Sequence, residues 1–143
     1  MRKSETNLPS KIISAMYDND AFSQWLGIER LEEGEGYSKL KMTIRPEMTN
    51  GFKIAHGGIT FSFADSAFAF ASNSRGRHAV SIETSISHTK SCRMGDVIFA
   101  EAKEESLSPK LAIYNVKVTN QNGEIVALFK GTVYRKKTVW FEE

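Results

Sequence analysis

Between Gly57 and Asn73 the apolar residues Ile59, Phe61, Phe63, Ala64, Ala67, Phe68, Phe70 and Ala71 fall on most sides of a helical wheel. A helix that is apolar nearly all round has to be covered nearly all round, so the segment predicts a buried central helix. Its polar exceptions, Ser62, Asp65, Ser66 and Asn73, share one narrow stripe. The flanking segments read as strands. Tyr37 to Arg45 alternates, with Leu40, Met42 and Ile44 on one face and Lys39, Lys41 and Thr43 on the other. Val80, Ile82, Thr84 and Ile86 alternate in the same way, and Asp96 to Ser106 makes a further strand. Leu111 to Thr119 and Ile125 to Tyr134 flank Asn122-Gly123, a pair that suits a tight turn. Ahead of them, Ile12, Ile13, Met16, Phe22 and Trp25 are spaced for one or two short helices. Five antiparallel strands around one helix satisfy this order. A single curved sheet from so short a chain leaves part of the helix bare, and a second subunit is the expected cover.

With 143 residues, one domain spans the chain, and residues 1–8 and 138–143 are expected to be loose termini. No apolar run reaches spanning length, and the first seven residues are polar, which predicts a cytoplasmic protein without a membrane association. One cysteine, Cys92, and three scattered histidines supply neither a disulfide nor a metal-ligand set. The net charge of +2 is too small for nucleic-acid binding. Local basic concentrations at Arg75, Arg77, Lys90, Arg93, Arg135, Lys136 and Lys137 are better matched to a small anionic group.

The stretch from Asn50 to Asp65 concentrates the chemistry. Gly57-Gly58 opens the central helix, where unpaired N–H groups and the positive end of the helix dipole favour an oxygen gaining negative charge. Asp65 lies two turns further on among Phe and Ala, where a carboxylate is disfavoured unless something offsets its burial. Each feature also has a plain structural reading. The glycines suit a flexible turn, Asp65 with Ser62 and Ser66 suits a thin wet stripe, His56 suits a loop-holding hydrogen bond, and Asn50-Gly51 suits turn chemistry.

The joint spacing of these residues resembles the hotdog-fold thioesterases of the phenylacetic-acid-degradation type. The likeness runs from about Asp20 to Arg135 and includes Phe22-Ser23-Gln24-Trp25-Leu26-Gly27, Asn50-Gly51, His56-Gly57-Gly58 and Ala64-Asp65-Ser66-Ala67-Phe68. It implies an α+β hotdog fold, with a curved antiparallel sheet of five or six strands round one long helix. It also implies hydrolysis of an acyl-CoA, an arylacetyl or hydroxyphenylacetyl thioester, with coenzyme A as part of the substrate and no cofactor. In this likeness Asp65 is the catalytic carboxylate, either attacking the thioester carbon or activating water. The Gly57 amide polarises the carbonyl, while Asn50 and His56 orient the water or leaving sulfur and fix the loop. Gly58 and Ser81 fall among substrate-binding positions, and Lys90, Arg93 or Arg75 is expected to meet the phosphates. The implied site lies between two subunits of a homodimer, with two dimers forming a homotetramer. Two departures stand out: Lys90-Ser91 replaces a pair ending in proline, and residues 138–143 have no counterpart. The rival readings are a non-catalytic acyl-CoA binding module and a hotdog enoyl-CoA hydratase.

Overall fold

The computed structural model describes residues 7–142. Helix α1 (Leu8–Asp18) starts at Asn7, whose side chain accepts the Ser10 N–H at 2.9 Å. Helix α2 (Ala21–Leu26) is capped in the same way by Asp20 and stops at Gly27, whose left-handed φ of 78° ends the turn. Six strands follow: β1 (Glu29–Gly34), β2 (Tyr37–Thr43), β3 (Arg77–His88), β4 (Val97–Leu107), β5 (Leu111–Thr119) and β6 (Ile125–Val139). They form one sheet in the order β1-β2-β4-β5-β6-β3, antiparallel throughout. Helix α3 (Gly57–Asn73), about 25 Å long, lies across the concave face and packs on β2 to β6. This is the α+β hotdog arrangement.

Burial explains the register. Leu40 and Met42 of β2, Ile98 of β4, and Tyr114 and Val116 of β5 point inward and meet Phe63, Ala67, Phe68 and Phe70 of α3, all essentially inaccessible to water. Phe68 sits edge-on to Tyr114 at 6.0 Å and tilted against Phe129 at 5.5 Å. The helix rests here against Gly131 of β6, where an added Cβ would lie 2.6 Å from the Phe68 ring. Gly131 is therefore a close-approach glycine.

Four expectations change. A sixth strand, β1, pairs with β2 as an edge hairpin turning at Gly36, φ 69°. Strand β2 stops at Thr43: the Ile44 amide still reaches the Asp96 carbonyl, but the Asp96 amide is turned back to the Arg93 carbonyl and the ladder ends there. In β3, an irregularity between Ser81 and Glu83 breaks the alternation. Val80 and Ile82 are thus exposed, while Ile86 packs against the core. Finally, Thr138 and Val139 continue β6 instead of forming a loose tail. Trp140 stacks on His78 with ring centres 4.2 Å apart and donates its Nε1–H to Asn73 Oδ1 at 3.0 Å. Lys11 Nζ lies 4.3 Å from the Phe141 ring centre. Residues 1–6 and 143 of the expected loose termini lie outside the described residues.

Candidate active site

The N-terminus of α3 is held in place by the loop before it. Thr49 bridges Ala55 and Ile54 bridges Arg93, while the Ala55 amide donates to the Cys92 carbonyl at 2.7 Å and the His56 amide to the Met48 carbonyl at 2.8 Å. Asn50 organises the turn inside that loop. Its Oδ1 accepts the Phe52 N–H at 2.8 Å and the Ile54 N–H at 3.4 Å, and Lys53 takes a left-handed φ of 64°.

His56 is the helix cap. Its Nδ1 accepts the Gly58 N–H at 2.9 Å, and its carbonyl accepts the Ile59 N–H at 2.9 Å. Both amides are thereby occupied, so Gly58, expected among the substrate contacts, has no free donor. The Gly57 N–H meets no acceptor among the described residues and faces a cleft of about 420 Å³. Asn50, Thr60, His88, Lys90 and Cys92 line the same cleft. Of these, Thr60 and His88 were not singled out from sequence. Thr60 lies one turn along α3 from Gly57, and His88 Nε2 would be 3.5 Å from a Cβ at Gly57. Cys92 is no nucleophile at neutral pH, since burial, with Asp96 adding to it, pushes its thiol up to about 11.

Asp65 lies elsewhere on α3. Eight residues separate it from Gly57, about 12 Å along the helix axis and about 80° around it. One thioester group cannot touch both within a single chain. The carboxyl is half-buried, and no described residue donates a hydrogen bond to it. Burial, and then the negative charge of Asp20, raises its pKa above the usual aspartate range. Asp20 is drawn close by a chain of hydroxyls, in which Ser23 Oγ donates to Asp20 Oδ2 at 2.6 Å and contacts Ser66 Oγ at 2.8 Å. The expected polar stripe therefore divides: Ser66 ties α2 to α3, and Asn73 ties α3 to β3, leaving Ser62 and Asp65 partly open. A groove of about 350 Å³ runs along this side of α3, with apolar walls from Phe22, Met48 and Ile59 and a polar edge at Ser62.

The basic candidates separate. Lys90 lines the Gly57 cleft, its ammonium 3.8 Å from Glu124. Arg93 is exposed in the strip bridged to Ile54, next to the cleft. Arg75, past the C-terminal end of α3, is clamped bidentately on Glu104 at 2.8 and 3.0 Å, so it is not a free phosphate contact. Ser81 is exposed on β3 and lies outside the cleft lining. Among the described residues, no three His, Cys, Asp or Glu side chains converge to hold a metal, and no helix is long and apolar enough to cross a membrane.

Residues 52–127 match the thioesterase superfamily. The acyl-coenzyme A thioesterase PaaI of Escherichia coli K12 is 38% identical over 121 residues, which is 85% of this chain and 86% of that protein. The structure of E. coli PaaI, from the phenylacetic acid degradation operon, superimposes with a TM-score of 0.89 at 35% identity, covering 93% of this chain and 99% of that one. A variant of the phenylacetic acid degradation protein PaaI from Thermus thermophilus gives a TM-score of 0.79 at 37% identity, covering 82% and 100%. The chain belongs to the thioesterase superfamily, and within it to the PaaI-like hotdog proteins.

Proposed function

We propose that this protein hydrolyses acyl-CoA thioesters in a cytoplasmic homodimer, with two dimers assembling as a tetramer. The observation that carries the reading is the separation of two incomplete halves: an unpartnered Gly57 N–H facing a cleft, and an unpartnered, proton-attracting Asp65 about 12 Å along the same helix. Two copies of the chain supply what one cannot. The Gly57 amide of one subunit, reinforced by the helix dipole, donates its N–H to the thioester oxygen as that oxygen gains negative charge. Asp65 of the other subunit approaches the carbonyl carbon.

The raised pKa suits Asp65 to this task, because a more basic carboxylate removes a proton from water more readily. Either water adds to the carbon while Asp65 takes its proton, which passes to the sulfur as the C–S bond breaks and coenzyme A leaves as the thiol, or Asp65 itself adds to the carbon and coenzyme A leaves as the thiolate, to be protonated by solvent. Where Asp65 attacks first, water then opens the resulting anhydride. No metal or cofactor enters either route. The Asn50 side-chain amide remains available to the leaving sulfur or water, its Oδ1 being used by the loop. His56 acts by capping α3, which leaves Gly57 as the donor. Lys90 and Arg93 flank the exit towards the pantetheine arm. We assign the acyl group to the Phe22, Met48 and Ile59 groove, whose apolar walls, with Phe22 stacked on Trp25, favour aryl-acetyl esters.

Thiol release from a panel of aliphatic and aromatic acyl-CoAs tests the reading. Turnover is expected in the wild type and a loss of at least about a hundredfold in Asp65→Asn, with folding and oligomeric state preserved. Tight binding without thiol release would instead establish a binding module, and hydration of an enoyl-CoA would establish a hydratase. Near-normal kcat in Asp65→Asn would remove the residue from the chemistry.

A further inference from the structure

A carbonyl oxygen that becomes anionic has room for more than one hydrogen bond, and α3 leaves it a single amide. His56 engages the next two at this helix end: its Nδ1 accepts the Gly58 N–H and its carbonyl the Ile59 N–H, each at 2.9 Å. A second donor from the protein must therefore come from another element of the Gly57 cleft. His88 meets that requirement. It is the last residue of β3 and pairs with Ala127 of β6, so the sheet and not a loop fixes its backbone. Its imidazole is exposed, lines the cleft and hydrogen-bonds to no described residue. The ring's Nε2 and Cε1 would lie 3.5 and 3.8 Å from a Cβ at position 57, and because glycine stands there the intervening space is open to a ligand. A Cβ is about 2.5 Å from its own amide nitrogen, which puts Nε2 at most about 6 Å from the Gly57 nitrogen. One oxygen about 3 Å from each nitrogen can accept from both.

The other polar side chains of the cleft are worse placed for this task. The Thr89 hydroxyl donates to the Ile125 carbonyl at 2.9 Å, and the Lys90 ammonium leans towards Glu124 at 3.8 Å. Thr60 is buried and rises about 4.5 Å along the helix axis from Gly57, away from the end at which the free N–H points. Ser91 belongs to the loop beyond β3, outside the ladder that holds His88. We propose that His88, protonated at Nε2, donates a hydrogen bond to the thioester oxygen alongside the Gly57 amide and so completes the oxyanion pocket. The assignment rests on the thioesterase reading and adds a catalytic residue to it. The ring keeps its proton throughout. Its hydrogen bond tightens as the oxygen becomes anionic and relaxes when the carbonyl re-forms, so its loss falls on kcat and not on KM.

Two variants test the role. His88→Phe fills the space of the ring without a donor, and His88→Gln carries an N–H donor to about the Nε2 position. On an acyl-CoA that the wild type hydrolyses, kcat should fall at least about tenfold in His88→Phe at unchanged KM, and His88→Gln should recover most of it. A second readout needs no turnover: the infrared carbonyl stretch of a bound ketone analogue, in which a methylene group replaces the thioester sulfur. That band should lie at lower frequency on the wild type and His88→Gln than on His88→Phe, because a donated hydrogen bond weakens the C=O bond. A near-normal kcat in His88→Phe, or a band that does not move between it and the wild type, overturns the role of His88 and leaves the thioesterase reading standing. Equal losses in the two variants overturn it too, since the shape of the ring and not its N–H would then matter. A wild type inert on every ester overturns both readings.

Discussion

Replacing Gly131 with alanine places a methyl group 2.6 Å from two carbons of the Phe68 ring, about 0.8 Å inside the 3.4 Å limit of an ordinary contact. The ring has nowhere to retreat, being wholly buried with Tyr114 and Phe129 beside it. Backbone conformation is not the obstacle, since Gly131 is not among the positive-φ glycines and alanine can adopt its conformation. Stiffening the unfolded chain would by itself favour alanine by about 0.4–1 kcal/mol. Overpacking a close-packed core costs about 1–3 kcal/mol, so the steric effect wins and the variant is destabilised. Net of the gain in the unfolded chain the loss is up to about 2.5 kcal/mol, which for a domain of this size is a drop of up to roughly 8 °C in Tm. Urea titration followed by circular dichroism, at one fixed protein concentration, measures the change. The midpoint should fall at an unchanged slope, and Phe68→Leu should be tolerated far better beside Gly131→Ala than in the wild type. Equal or higher stability of Gly131→Ala, or additivity of the two changes, would refute the close-approach reasoning.

Asp65→Asn should be at least as stable as the wild type at neutral pH. Its advantage should fade on acidification, because the folded-state pKa is raised and protonation relieves the buried charge as pH falls through it; paired melts from neutral to acid pH check this. The acid limb of the activity profile should likewise sit above the ordinary aspartate range, read from kcat/KM against pH. Cys92, with its thiol at about 11, should resist iodoacetamide at pH 8 until denaturant is added, as mass spectrometry would show. Trp140→Ala removes the His78 stack and the Asn73 hydrogen bond and should lower stability by about 1–3 kcal/mol in the same urea assay, where a loose tail would give no change.

The central helix and the five expected strands were legible because burial on one side or all sides leaves a period in the sequence. Strand β1, Glu-Arg-Leu-Glu-Glu-Gly, was not read because an edge strand exposed to water has no apolar face to encode. The β3 irregularity was hidden for the opposite reason: Val80, Ile82, Thr84 and Ile86 keep perfect alternation in sequence while the backbone shifts register beneath them. Around the site, the Gly57 and Asp65 signals were visible as violations of helix chemistry. His88 and Thr60 were not, since only folding brings the end of β3 beside the start of α3. Arg75 and Arg77 look alike on paper. A carboxylate, Glu104, occupies one and main-chain carbonyls hold the other, a difference set by residues about 30 or more positions away.

The twelve ångströms of helix between Gly57 and Asp65 also bear on when the protein works. On the two-subunit site proposed above, a newly made chain, folded but alone, would hold an electrophile-binding donor and a base that never meet, and would be harmless to the thioester pool around it. Specific activity should then vanish on dilution before the fold does, so that abundance itself acts as the switch.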